Sequence, residues 1–324
     1  MDLSIIIVNW NSKDFLRECI ASILPWSGDI SLEIVVIDSG SFDGCGAVLE
    51  KYGPNVRFIQ SETNLGFARA NNEAYKVSQG QSLLFLNPDT RVLGSAIETM
   101  HRYLCSLPSA GVIGAKLLNG DDSVQTTCVR SFPTVLNQFL ESALLRRWFP
   151  RSALWGMLPL FQNSETPSEV DAVSGACLMM SRAAFESVGM FSSDYFMYSE
   201  DIDICYKARI AGRKTYYVPT AVVVHYGGES TSKSSESAFS SVMMLESRWR
   251  FFRKTRPAWY SFLYRAAMFV ASVCRIGAVA TAWPLGAMRG RTTALRAALR
   301  KWTARLRWTV GGERWVKTYP RPVE

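Results

Sequence analysis

The chain has 324 residues, 48% hydrophobic and 20% charged, without low-complexity tracts or internal repeats. That excludes a disordered or fibrous chain and leaves one large α/β domain or two smaller ones. The net charge of +8 hides an asymmetry: from Arg248 onward 17 Lys/Arg stand against 2 Asp/Glu, while the first 247 residues hold 19 against 26, so a mildly acidic body precedes a strongly basic tail.

Residues 3–8 are an unbroken apolar run closed by Asn9-Trp10-Asn11 and predict a buried strand. Ser12 is placed to cap a helix to about Leu24, with Phe15, Leu16, Cys19, Ile20 and Ile23 on one face, and Pro25 stops it. A strand over 32–37 ends at Asp38, and the turn over 39–44 opens a helix through about Lys51. A short strand over 56–59, a helix from about Asn64 to Val77, a strand over 82–87 and a helix over about 95–107 follow. Pro88 cannot continue a central ladder, so Asp89 is expected at the carboxyl edge of the sheet. Strands alternating with helices predict a mostly parallel sheet, in which Asn9, Asp38 and Asp89 share one crevice.

The second half is less regular. Strands are expected over 110–118 and 170–180, and Ser181 is placed to cap a short helix through about Val188. The stretch 145–168, with Trp148, Pro150, Trp155, Pro159 and Pro167, is expected as a loop over the crevice. Glu200, Asp201 and Asp203 open a helix, where the dipole favours carboxylates, and a strand over 215–224 ends at His225. Seven cysteines without a Cys-x-x-Cys pair suggest reduced, buried thiols and a cytosolic setting, and no signal peptide is expected ahead of the first strand.

Two sets of acidic groups in different settings suit a metal-dependent group transfer. One set holds a cation against a diphosphate; a different carboxylate takes a proton from the nucleophile. Asp201 and Asp203 point in different directions from one helical turn and cannot share a role. His225, at a strand end before Tyr226-Gly227-Gly228, reads either as a metal ligand or as a structural histidine. His101, amid Met100 and Tyr103, reads as structural.

The strand ends Val8-Asn9-Trp10-Asn11 and Val36-Ile37-Asp38-Ser39-Gly40-Ser41-Phe42-Asp43-Gly44, the segment Asn64-Leu65-Gly66-Phe67-Ala68-Arg69-Ala70-Asn71-Asn72 and Leu86-Asn87-Pro88-Asp89 together resemble glycosyltransferase family 2. Phe196-Met197-Tyr198-Ser199-Glu200-Asp201-Ile202-Asp203 and the strand ending in Val224-His225 are similar to its rhamnosyltransferase-like bacterial branch. The resemblance spans about residues 3–255 and implies an inverting enzyme of GT-A fold with a C-terminal helical extension. It implies a nucleoside-diphosphate sugar donor (dTDP or UDP) and Mg2+ or Mn2+. On it, Asn9, Asp38, Ser39, Asn64, Gly66, Phe67, Asn71 and Asn87 bind the donor, Asp89 and His225 hold the metal, and Asp201 is the base. Glu200, Asp203 and Gly175 support the site or bind acceptor. The implied domains are a catalytic one over 1–255, with a donor half at 1–108 and an acceptor half at 109–255, and a tail over 256–324.

The chain departs from the pattern at Ser39, where the family has Asn, at Lys207, where it has Arg, and at Asn87, which leaves one strong anionic ligand in the metal motif. Arg248-Trp249 matches part of the Gln-x-x-Arg-Trp of processive synthases, but Leu245 stands at the Gln position; the pair is read as helix surface and single-sugar transfer is expected.

In the tail, Arg265 and Arg275 interrupt the apolar run 259–288. Spanning a bilayer would put Arg275 near its centre at roughly 3 kcal/mol, so the tail is expected to lie on a membrane rather than cross it. Leu295, Leu299, Trp302 and Leu306, interleaved with arginines, read as a basic amphipathic helix on an anionic interface, or one packed on the protein itself. Nucleic acid is disfavoured by the Trp/Phe content and the lack of a binding motif. The expected function is transfer of one sugar, with L-rhamnose as the implied sugar, to a lipid-linked or cell-surface glycan precursor at the cytoplasmic face of the plasma membrane. The alternatives are a nucleotidyltransferase, or a non-catalytic sugar-nucleotide-binding scaffold.

Overall fold

The structure is a computed structural model that describes residues 1–26, 30–141, 143–162, 164–227, 238–288, 290 and 292–319. The chain divides into two compact units. The first comprises Met1–Phe132, Arg146–Ser193 and Glu200–Ser232; the second comprises Pro133–Leu145, Asp194–Ser199 and Lys233–Glu324.

The first unit opens with β1 (Leu3–Asn9), α1 (Lys13–Ile23), β2 (Leu32–Ser39), α2 (Cys45–Leu49), β3 (Val56–Ser61), α3 (Gly66–Val77) and β4 (Ser82–Leu86). These four strands pair in parallel in the order β3-β2-β1-β4. Val/Ile/Leu-rich runs buried on both faces are what the interior of a parallel sheet requires, and β1, β2 and β4 are buried almost throughout. Next come β5 (Thr90–Val92), α4 (Ala96–Ser106), β6 (Ala110–Leu118) and β7 (Val129–Arg130). After α5 (Val135–Phe139) and α6 (Ala143–Trp148) follow β8 (Ser168–Val170), β9 (Ala172–Val173), β10 (Cys177–Ser181), α7 (Arg182–Ser187), α8 (Glu200–Ile210) and β11 (Lys214–His225). β10 inserts antiparallel between β4 and β6, β6 and β11 run parallel, and the short β5 and β8 pair antiparallel with β11.

Some expectations change. The single strand expected over 170–180 is two: β9 pairs with β7 in a small separate sheet, and β10 joins the main one. The break falls at Ser174-Gly175, where the Gly175 N–H turns to the Asp201 carboxylate. The expected loop over 145–168 holds the end of α6 and a 3-10 turn at Leu158–Phe161, because 143–148 contain no residue that breaks a helix. Ser12 precedes α1 but donates its hydroxyl to the Trp10 carbonyl instead of capping; Asp43 takes the Lys13 N–H at 3.0 Å. Ser181 does cap α7, accepting from the Ala184 N–H at 3.1 Å.

The second unit contains α5, α9 (Ala238–Thr255), α10 (Ala258–Met288), α11 (Thr292–Thr309) and a 3-10 turn at Arg314–Thr318. The sequence predicts a helix from about Glu236 to Lys254, stopped before Pro257; its start lies outside the described residues, as does Gly228. α9 packs against both α10 and α11, which buries residues on more than one of its sides. Arg248 is therefore not helix surface: it is buried and donates to Ser199 Oγ at 3.1 Å.

Leu84 sits wholly buried between β1 and β10. Leu84→Ala leaves a cavity in the core on one face of the sheet and is expected to cost about 2–5 kcal/mol, read as a lower urea midpoint with the slope unchanged.

Candidate active site

Parallel pairing brings the strand ends level. Asn9 lies across from Asp38, Asp38 from Gln60, and Ile7 from Leu86. Polar residues at and just past these ends therefore meet at the carboxyl edge, where open α/β sheets bind ligands.

The first cluster surrounds Asp38. Its Oδ1 accepts from Asn9 Nδ2 at 2.9 Å and from the Ser41 hydroxyl. Its Oδ2 accepts from Ser41 N at 3.1 Å, Phe42 N at 2.8 Å and Gln60 Nε2 at 2.7 Å. Burial by itself would raise this carboxyl, but the bonds from Ser41, Gln60, Phe42 and Asn9 together hold it below the usual carboxylate range. Asn9 Nδ2 also reaches Asp43 Oδ2 at 3.1 Å, while Asn9 Oδ1 is buried without a hydrogen-bond partner among the described residues. Ser39 Oγ accepts from Leu65 N at 2.9 Å, and Asn64 Oδ1 accepts from Gly66 N at 3.0 Å, so Ser39 ties down the Asn64 turn. Gly40, at φ +71°, is pressed so close to that turn that a Cβ would lie 2.5 Å from the Thr63 carbonyl carbon. Asn71 is buried and spends its amide N–H on the Phe67 carbonyl.

Asp38, Asp43 and Cys45 bring potential ligand atoms within 4.8 Å of one another. Their chemistry argues against a cation there. Both Asp38 oxygens and both Asp43 oxygens already accept protein N–H or O–H groups, and burial pushes the Cys45 thiol up to about 12.

The second cluster is Asn87, Asp89 and His225. Antiparallel pairing of β5 with β11 sets Thr90 opposite His225 and brings Asp89 Oδ1 to 3.4 Å from His225 Nε2. The ring's other nitrogen, Nδ1, lies 2.8 Å from Gln125 Oε1. The orientation of the Gln125 amide follows from its nitrogen, which donates to Asn119 Oδ1 at 3.0 Å. Nδ1 thus carries the proton, and Nε2 presents its lone pair to Asn87 Nδ2 at 3.2 Å. The Nε2 side of the ring faces Asp89 Oδ1 at 3.4 Å. A carboxylate and an imidazole this close can serve as ligands of one divalent cation. The donor set fits a divalent ion.

The third cluster is built on Gly175. Its N–H donates to Asp201 Oδ2 at 3.2 Å, and a Cβ there would lie 3.2 Å from Asp201 Cβ and 3.6 Å from the Phe67 ring. Asp201 Oδ1 accepts from Ile202 N at 2.8 Å, and Arg130 Nη2 lies 3.9 Å from Oδ2. The helix start and the guanidinium both match negative charge on Asp201. Asp203 turns elsewhere, to Ser192 Oγ at 2.6 Å and Lys207 Nζ at 3.8 Å, and Lys207 also donates to the Met190 carbonyl. That network ties α8 to the 190–192 turn. Glu200 is buried at the start of α8. Just ahead of it, Tyr198 and Ser199 hold φ of +68° and +71°, a costly conformation for residues with a Cβ.

The clusters are linked. Asn87 N donates to the Ala176 carbonyl at 2.9 Å, next to Gly175, and Phe67 joins Gly175 to the Asn64 turn. Asn9, Asp38, Ser39, Asn64, Gly66, Phe67, Asn87, Asp89, His225, Gly175 and Asp201 thus form one continuous edge, while Asp203 and Asn71 lie behind it. Sequence reasoning gave no role to Gln60, Gln125 and Arg130, and quoted Asp43 within the second strand-end motif without assigning it one. Register against Asp38 could have signalled Gln60; Gln125 and Arg130 carry no local signal.

Because the Asp38 carboxyl is held low, its stabilising share is complete above the unfolded value of about 4 and is lost as pH falls through the folded value. The stability gap between the wild type and Asp38→Asn is expected to be full at neutral pH and to narrow in acid, measured by urea unfolding across pH.

The chain matches the model of the family described as "Glycosyl transferase family 2" over residues 4–189. It is 30% identical over 249 residues to an N-acetylglucosaminyl-diphospho-decaprenol L-rhamnosyltransferase of Mycobacterium tuberculosis, covering 72% of this chain and 79% of that one. It is 25% identical over 262 residues to the rhamnosyltransferase WbbL of Escherichia coli, covering 78% and 93%. Among solved structures, the mannosyltransferase PcManGT of Pyrobaculum calidifontis, in complex with GDP-Man and Mn2+, matches with a TM-score of 0.58 at 16% identity, covering 99% of this chain and 88% of that one. The strand-end site, the GT-A fold and the extent of these matches lead to one conclusion: the chain belongs to glycosyl transferase family 2 and is a glycosyltransferase.

Proposed function

We propose that this glycosyltransferase moves one sugar, L-rhamnose, from a dTDP or UDP carrier to a hydroxyl of a lipid-linked or cell-surface glycan precursor, inverting the anomeric carbon. The observation that carries this reading is the separation of two acidic sites by Gly175-Ala176: Asp89 with His225 on one side, and Asp201 on the other. The choice of sugar and acceptor class draws on the printed activities of the relatives. The reaction takes place at the cytoplasmic face of the plasma membrane, with the catalytic residues in a domain over 1–255.

Asp89 and His225, with Asn87 beside them, would hold Mg2+ or Mn2+, which when bound offsets charge on the departing diphosphate. Asn9 Oδ1, the buried acceptor left over, fits the ring N–H of a uracil or thymine base. Asp38 and Ser39 hold the walls of that pocket through the turns they bind. Asp201 takes the proton of the acceptor hydroxyl as its oxygen bonds to the anomeric carbon, and the bond to the diphosphate breaks with its electron pair on the leaving oxygen. Arg130 and the Gly175 N–H hold the carboxylate in line. Gln125 keeps the His225 lone pair aimed at the cation.

In the presence of Mn2+, dTDP or UDP is expected to raise the melting temperature; no shift with any nucleoside diphosphate would sink the donor-site reading. Asp201→Asn should lower transfer by about 10^2–10^4-fold while leaving that shift intact. Gln125→Ala should weaken Mn2+ binding by about 10–100-fold in an electron paramagnetic resonance titration with dTDP present. Gln125→Glu, which still accepts from Nδ1, should bind as the wild type does.

A further inference from the structure

The basic tail poses a question that the catalytic unit does not answer: which of its faces meets a membrane. α10 and α11 run side by side as an antiparallel hairpin, since Arg265 reaches Trp308 and Arg275 reaches Trp302. The apolar stripe of α11 is half-buried at Leu295, Leu299, Trp302 and Leu306, and buried at Ala304 and Trp308. Trp308 further donates to Glu246 Oε2 at 2.9 Å. The face expected to lie in lipid is thus used up in packing.

α10 shows the opposite. Tyr264, Met268, Ala271 and Ser272 are buried, but Trp259, Phe262, Phe269, Val273, Leu285 and Met288 are exposed, Phe262 by 75%. The helix carries only two charges, Arg265 and Arg275, and both turn away from that face. Arg265 Nη2 donates to the Trp308 carbonyl at 2.8 Å and stacks over its ring. Arg275 Nη2 donates to the Glu141 carbonyl at 2.8 Å and lies over Trp302. An uncharged face running along a helix roughly 45 Å long is left to the surroundings.

Its surroundings are positive. Arg253, Lys254 and Arg256 are exposed just before α10, and Arg296 and Arg300 on α11. Across 238–319 the acidic residues are Glu246 and Glu313. Both are buried, bonded to Trp308 and Arg307.

We infer that α10 lies in the plane of an anionic bilayer surface with its Trp259–Phe262–Phe269–Val273 face sunk among the lipids. A transmembrane course is disfavoured although α10 is long and apolar enough for one. α11 packs along it and would carry Arg296, Arg300, Lys301, Arg305 and Arg307 into hydrocarbon. A second copy is disfavoured because it would bring together two borders in which basic residues outnumber acidic ones, Asp194 beside Lys254 being the exposed acidic neighbour. The inference refines the membrane placement in the proposed function and does not depend on the donor chemistry.

Full-length protein is spun down with vesicles of phosphatidylcholine alone or of equal parts phosphatidylcholine and phosphatidylglycerol. Binding to the anionic vesicles only is expected, with the double variant Phe262→Glu, Phe269→Glu weakened at least about tenfold. Its melting temperature, and its stabilisation by dTDP with Mn2+, should stay those of the wild type, which separates this test from that of the enzymatic reading. Undiminished binding by the double variant overturns the inference. So does protein that resists alkaline carbonate extraction, which would mark a span, or a lipid-free dimer that the double variant dissolves.

Discussion

One buried charge organises the carboxyl edge of the sheet. Asp38 sits inside the sheet, where an unmet carboxylate would be prohibitively costly. Five donors meet it: Asn9 from the end of β1, Gln60 from the end of β3, and the Ser41 hydroxyl, Ser41 N–H and Phe42 N–H from the loop after β2. The loop therefore has little choice of conformation. Asp43, carried by the same loop, takes the first N–H of α1 and displaces Ser12 from the capping role. Three strand ends and a helix start are locked by the same set of bonds, which gives the edge a stiff wall.

A second constraint is the break in the chain at Ser174-Gly175. A continuous strand would have carried its N–H groups into one ladder. The interruption frees the Gly175 N–H for Asp201 and the Ala176 carbonyl for Asn87. A Cβ at Gly175 would press on Asp201 at 3.2 Å, so glycine lets Asp201 sit close to the backbone. The two acidic sites are thereby held at a fixed separation by one short stretch of backbone.

Much of this edge was legible. Parallel strands buried on both faces announce themselves as apolar runs, and the first polar residue after each run marks the edge; Asn9, Asp38 and Asp89 were found that way. Gln125 and Arg130 were not, because each comes from an irregular stretch between β6 and β9. Their reach to His225 and Asp201 is set by pairings with residues 71 to 100 positions away. Arg248 was misread as surface because α9 buries residues on more than one side, which periodicity cannot show.

The tail draws the line most clearly. Sequence alone determined that two helices there would be apolar and basic in alternation, since hydropathy and charge are properties of the residues themselves. It also determined where the parallel strands end, since a fully apolar run fixes where a buried strand must stop. Tertiary structure decided which apolar face is covered. α11 has its stripe packed in the hairpin, and α10 turns Arg265 and Arg275 onto carbonyls and indole rings, leaving its own uncharged face open. An amphipathic pattern states that a helix has a face to bury; only the neighbour that reaches it first settles what buries it.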